Sequence, residues 1–135
     1  MRIRALIVVG FWLTACTQLP DTVGEAAPTG TVWSLVEVND APATYGASLR
    51  LLSSGRVLGT GPCNSFTATQ TAPLPWVEFT DITPTERSCA QLRQEEGFFL
   101  ALESMDFSEI AGESLLLSND TGQSLFFRAA EGPST

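Results

Sequence analysis

The chain has 135 residues, a formal net charge of −8 and neither His nor Lys; all seven basic residues are Arg. Ser-His-Asp, Cys-His, Ser-Lys and Schiff-base chemistries therefore have no residues from which to be built. So acidic a surface repels nucleic-acid phosphates, which excludes nucleic-acid binding, and the length suits one domain with one core.

Residues 1–15 read as an export signal that is removed. Arg2 and Arg4 are followed by an apolar run at 5–13, too short to span a bilayer as a helix, and small residues lead up to Cys16. Leu13-Thr14-Ala15-Cys16 resembles the lipobox of bacterial lipoproteins, which implies that Cys16 becomes the lipidated N-terminus and anchors the chain to a membrane. Thr17, where Asp would retain such a protein at the inner membrane, implies sorting to the outer membrane, facing the periplasm. Without residues 1–15 the chain keeps five Arg against fifteen acidic residues, a charge of 5 − 15 = −10. Residues 16–30, rich in Pro, Gly, Thr and Ala, read as the lipidated cysteine and a flexible tether with a reach on the order of 20 Å.

The folded domain is expected over residues 31–130, with 131–135 as a short tail. Residues 31–38 alternate as a strand covered on much of both faces. Leu49 and Leu51 alternate with Arg50, Ser53-Ser54-Gly55 turns, and residues 56–60 return, which predicts a hairpin. A strand over 66–71 follows the turn at Cys63, and Pro73 and Pro75 leave 76–80 as a short or edge strand.

The single long helix is predicted over residues 89–104, with Ser88 as its N-cap. Leu92, Phe99 and Leu102 share its apolar face beside Phe98, and Gly97 suggests that another backbone approaches closely. Strands at 105–110, 115–118 and 124–128 complete the chain, the last two joined by the turn Asn119-Asp120-Thr121-Gly122-Gln123. About eight short strands, with the helix after the fifth, predict an α+β domain: a curved antiparallel sheet packed on one helix.

Cys63 lies in the turn "GTGPCNSFTA" and must be a nucleophile, a metal ligand or half of a staple. Export places Cys63 and Cys89 in an oxidising compartment, and two Cys without His fit the usual zinc patterns poorly. A Cys63–Cys89 disulfide is therefore expected, contributing roughly 3 to 4 kcal/mol through loop closure.

Several of these residues stand in a recognisable order. Trp33-Ser34-Leu35 precedes Gly61-Pro62-Cys63-Asn64-Ser65-Phe66-Thr67-Ala68, and Thr85-Glu86-Arg87-Ser88-Cys89 leads to Glu95, Phe98 and Leu102. The chain resembles the META-domain family, the HslJ-like bacterial lipoproteins, in which W-x-L, G-x-C-N-x-F/Y-x-G/A, T-x-x-x-C and E-x-x-F-x-x-x-L follow one another. The resemblance covers roughly residues 31–128 and departs at Ala68, where many members carry Gly. It implies an antiparallel sheet with a helix, an envelope location, resistance to heat or hydrophobic antibiotics, and no established catalytic residues. By analogy of fold alone it also points to secretin pilot lipoproteins, which hold a lipid or an amphipathic peptide in an apolar groove.

The motif turn gives Gly61, Asn64 and Phe66 as site residues, with the Asn64 amide expected to bond backbone groups and fix the turn. Carboxylate pairs for acid–base work would be Asp81 with Glu86 or Glu95 with Glu96, although Glu95 and Glu96 read as solvated or capping residues at the start of the helix. Asn119, Asp120 and Gln123 offer oxygen to calcium in a turn too short for an EF-hand, and read as a plain hairpin. The expectation is a non-enzymatic envelope lipoprotein without metal or cofactor, acting by binding an envelope protein or hydrophobic ligand. The alternatives are a pilot-like carrier and an acid-dependent carboxylate hydrolase.

Overall fold

The computed structural model describes residues 9–14, 16 and 18–130. Most of the expected leader, Thr17 and the tail 131–135 lie outside the described residues. Among those described, no helix is long and apolar enough to cross a membrane.

The chain folds as the expected α+β domain, a curled antiparallel half-barrel around one main helix. Its elements are α1 (Val23–Ala26), β1 (Trp33–Val38), β2 (Ala41–Pro42), β3 (Ser48–Leu51), β4 (Arg56–Thr60), β5 (Ser65–Thr69), β6 (Thr80–Pro84), α2 (Leu92–Glu103), β7 (Phe107–Ala111), β8 (Ser114–Ser118) and β9 (Ser124–Ala129). The sheet runs β6-β5-β4-β3-β1-β9-β8-β7, so the first and last strands of the domain pair at its centre. Strand alternation sends Trp33, Leu49, Leu51, Val57, Phe66, Leu115, Leu117, Leu125 and Phe127 into one core, where Phe98 and Leu102 of α2 meet them. Trp33 Nε1 is the one buried side-chain nitrogen or oxygen without a hydrogen-bond partner among the described residues.

Four expectations are corrected. Asn39 and Asp40 both adopt positive φ, 52° and 64°, and close a two-residue hairpin that adds the short strand β2; the helix consequently follows the sixth strand. The strand expected at 76–80 begins instead at Thr80, because residues 72–78 are engaged elsewhere. Buried Gln70 bonds Ala72 and Glu78, Val77 N donates to the Asp106 carbonyl, and Ser108 N donates to the Pro75 carbonyl. That loop spends its backbone groups on β7 and Gln70, and pairing with β5 resumes only at Thr69–Thr80.

The third correction concerns the tether, read as flexible to residue 30. From Thr22 the chain is ordered on the core: Thr22 caps α1, Val23 and Ala27 are buried, and Gly24 sits against the Leu52 carbonyl so closely that a Cβ has no room. The apolar residues are few, Val and Ala only, and their one-turn helix is too short to show periodicity. The fourth is Gly97, which no other backbone approaches; a Cβ there would meet nothing within 4 Å.

Candidate functional site

The first turn of α2 carries the residue around which the motif segments gather. Glu95 lies on the face shared with Phe98 and Leu102, at the spacing i, i+3, i+7, and is buried with 1% of its surface exposed. It points at the turn between β4 and β5. Glu95 Oε2 accepts from the backbone N–H of Cys63 at 2.8 Å and of Asn64 at 2.7 Å, while Oε1 accepts from Asn64 Nδ2 at 2.6 Å.

Asn64, 4% exposed, extends the network to the loop after β6. Its Oδ1 accepts from Thr85 Oγ1 at 2.8 Å and from the Arg87 backbone N–H at 2.6 Å, and Nδ2 also donates to the Arg87 carbonyl at 3.2 Å. The amide thus pairs with Arg87 backbone as a neighbouring strand would. Its backbone carbonyl accepts from Gly61 N at 2.7 Å, closing the turn. Gly61 is required by contact rather than by dihedral angle: a Cβ would stand 2.5 Å from Glu95 Oε2.

The Cys63–Cys89 disulfide ties the same two segments covalently, with Cα atoms 5.9 Å apart. Cys89 Sγ also accepts from Gln91 N at 3.3 Å, beside the start of α2. The predicted N-cap is corrected accordingly: the helix begins at Leu92, Gln91 holds the cap position without a side-chain bond, and Ser88 lies in the preceding loop. Phe66, the last residue of the motif turn, is a core side chain, edge-on to Phe98 at 6.0 Å and to Phe99 at 5.0 Å.

Burial raises the pKa of the Glu95 carboxyl, but the bonds from the Asn64 side chain, Asn64 N and Cys63 N outweigh it and hold the group below its ordinary value of 4.5. A carboxylate so held is a fixed acceptor at neutral pH, not a proton donor. The carboxylate pair considered with Glu96 is not assembled for acid–base work, since Glu95 is buried against the turn while Glu96, at the next helical position, is exposed to solvent. The solvated or capping role expected for Glu95 is also replaced, because the turn supplies the N–H groups that make burial of its charge tolerable.

Among the described residues no group of three or more His, Cys, Asp or Glu is placed to hold a metal ion. In the β8–β9 turn Asn119 Oδ1 accepts from Thr121 N, Thr121 Oγ1 and Gln123 N, so the oxygen considered for calcium orders the hairpin itself. Over the Glu95–Asn64 network lies a shallow depression of about 320 Å³ between Pro84, Arg87, Leu92, Glu96 and Phe99. Cys16 is exposed and unpaired.

The sequence indicated a Cys63–Cys89 disulfide and a motif turn of Gly61, Asn64 and Phe66; the structure brings Gly61, Cys63, Asn64 and Cys89 together around Glu95 and sends Phe66 into the core. The sequence missed Glu95 as their centre and Thr85 as a support, and, outside this site, Gln70 as the residue that holds the 72–78 loop. The signal for Glu95 was its spacing to Phe98 and Leu102, which puts a carboxylate on the inward face; Gln70 carried no comparable signal.

An open antiparallel half-barrel, its turn stapled to its helix around a buried carboxylate, defines a small α+β scaffold class. The META domain family pattern matches residues 26–132, and the chain belongs to that family. No curated protein matches it significantly. Two solved structures share its fold. A protein from Burkholderia xenovorans, solved by NMR, is 18% identical with a TM-score of 0.65, covering 93% of this chain and all of that one. A DUF4847 family protein from Bacteroides vulgatus is 15% identical with a TM-score of 0.61, covering 75% of this chain and 93% of that one.

Proposed function

We propose that this META-family protein is a non-enzymatic lipoprotein of the cell envelope, anchored in the outer membrane through Cys16. Its domain faces the periplasm and supports envelope integrity under stress by binding. The observation that carries this reading is the engagement of the motif residues with one another: Glu95 and Asn64 are 1% and 4% exposed and direct their polar atoms to each other and to the backbone of Cys63 and Arg87, which favours a structural over a catalytic role. The disulfide agrees with an oxidising compartment. Cys16 is exposed and stands six residues before the Thr22 cap of the first ordered helix, a suitable position for a lipid anchor.

A second reading, the pilot-like carrier of a lipid tail or amphipathic peptide, is favoured by a groove of about 420 Å³ beside α2. Val38, Tyr45, Gly97 and Leu100 line it, and Leu100 is 68% exposed.

The test of the main reading is metabolic labelling with a fatty acid in a Gram-negative host, followed by fractionation and mass spectrometry. The wild type should lose residues 1–15, carry acyl chains on Cys16 and sediment with the outer membrane, and C16S should carry no label. Unmodified Cys16 on an uncleaved cytosolic chain would overturn the reading.

A further inference from the structure

The loop between β5 and β6 is held firmly and yet displays a large aromatic side chain to solvent. Gln70, 2% exposed, bonds both ends of the 72–78 segment: its Oε1 accepts from Ala72 N at 3.3 Å and from Glu78 N at 2.7 Å, and its Nε2 donates to the Ala72 carbonyl at 3.0 Å. Leu74 N donates to the Asp21 carbonyl, and Trp76 forms an isolated antiparallel bridge with Phe107 of β7. The Trp76 ring rests against Phe107, centroids 4.8 Å apart and 35° between planes, but remains 51% exposed. A core would bury this side chain; a pinned loop that leaves half of it in water presents it instead.

The surroundings of that shelf carry one sign of charge. Glu78, Glu103, Asp106 and Asp120 all border a cavity of about 450 Å³ that includes Trp76 and Phe107, and no Arg lines it. All four are exposed. They come from four separate places, the 72–78 loop, the end of α2, the entry to β7 and the β8–β9 turn, so no single helix or turn accounts for their meeting. An anionic lipid headgroup or phosphate would be repelled here. A cation laid on the indole face gains both ring quadrupole and carboxylates.

We propose that the Trp76–Phe107 shelf is a docking surface for a basic segment of a partner protein, with an Arg or Lys side chain over the exposed indole and the carboxylates around it. The assignment deepens the binding role proposed above and rests on it, naming the partner by chemistry. Preorganisation by Gln70 means the loop need not be ordered on binding, so affinity depends on the shelf's own groups.

The experiment is an NMR titration of the full chain in non-ionic detergent with an Arg-Gly-Arg-Gly-Arg peptide, read at the indole N–H signals of Trp76 and of buried Trp33 and, in every variant including W76A, at the backbone amides of Glu78 and Phe107, which border the same cavity. The expected result is a saturable shift of Trp76 with Trp33 unmoved, and about tenfold or greater weakening in both W76A and E103Q/D120N. E113Q, in the β7–β8 turn at the opposite end of that hairpin, should bind as the wild type does, and a Glu-Gly-Glu-Gly-Glu peptide should not bind. Circular dichroism of the variants confirms that they fold, and E103Q/D120N tests the shelf even if W76A does not.

Equal binding by wild type, W76A and E103Q/D120N would mean diffuse attraction to an acidic protein and overturn the proposal. So would no saturable shift at millimolar peptide, a Trp76 shift on concentrating the protein alone, which would make a second copy the occupant, or a response to phosphocholine vesicles but not to peptide. None of these outcomes bears on lipidation at Cys16, so this assignment and the anchoring test fail separately.

Discussion

The Glu95 carboxylate holds Asn64 twice, one oxygen on its side-chain amide at 2.6 Å and the other on its backbone N–H at 2.7 Å. This double hold connects the first turn of α2 to the β4–β5 turn, and through Asn64 Oδ1 to the loop at Thr85 and Arg87. Three segments distant in sequence are thereby fixed by one buried charge and one amide.

Replacing Glu95 by Gln keeps the volume but turns an NH2 group toward N–H donors. E95Q should lose about 2–4 kcal/mol of stability, since buried N–H groups would be left without an acceptor. Urea denaturation checks this, and a loss below about 0.5 kcal/mol would mean the bonds are not formed in solution.

The same carboxylate sets a pH dependence. Its folded-state pKa lies below the unfolded value of 4.5, so the folded state binds fewer protons there. The stabilisation it contributes is complete well above 4.5 and is lost progressively as the pH falls below it, through the folded-state value. The wild type should therefore lose stability on acidification more steeply than E95Q, as read from thermal midpoints between about pH 6 and pH 3.

Gly61 and Glu95 should be coupled. G61A places a methyl group 2.5 Å from Glu95 Oε2 and should cost about 1–3 kcal/mol in the wild type. Adding the same change to E95A should cost much less, because the clashing oxygen is gone. A double-mutant cycle with additive costs would contradict the contact.

Gly97 predicts the opposite sign. It is exposed within α2 and a Cβ there has nothing within 4 Å, so G97A should stabilise the protein by about 0.5–1 kcal/mol. A destabilisation measured by urea melting would contradict the open space around this position.

The Cys63–Cys89 bond, spanning 26 residues, should contribute about 3–4 kcal/mol. Reduction, or C63S/C89S, should lower the urea midpoint accordingly, and equal midpoints with and without reductant would show that the bond does not form.

What the sequence made legible follows from what its signals are. Alternating Leu49-Arg50-Leu51 and the turn at Gly55 defined a hairpin because period and turn chemistry agreed. The apolar face read on Leu92, Phe99 and Leu102 is turned in the fold toward Phe98: Glu95, Phe98 and Leu102 are buried, and Leu92 and Phe99 only half-buried. Residues 72–79 misled because Val77 and Phe79 are buried like strand residues while their loop is bonded to Gln70 and β7, a long-range choice that no local pattern records. Glu95 was read by its charge and its place near a helix start, although its spacing to Phe98 already put it inward. Only the N–H groups of Cys63 and Asn64, supplied 31 or more residues away, make that position tolerable. Gly97 shows the reverse error, a glycine given a packing reason that the fold does not use.

The most direct test of the account is the titration of the Glu95 side-chain carboxyl, followed by its 13C chemical shift in the intact, disulfide-bonded protein. A buried clamp predicts a midpoint below 4.5, with the Cys63 and Asn64 amide signals moving at the same pH. A midpoint above 4.5, with those amides unmoved, would mean a desolvated acid free to transfer protons, and would contradict both the clamp and the binding role built on it.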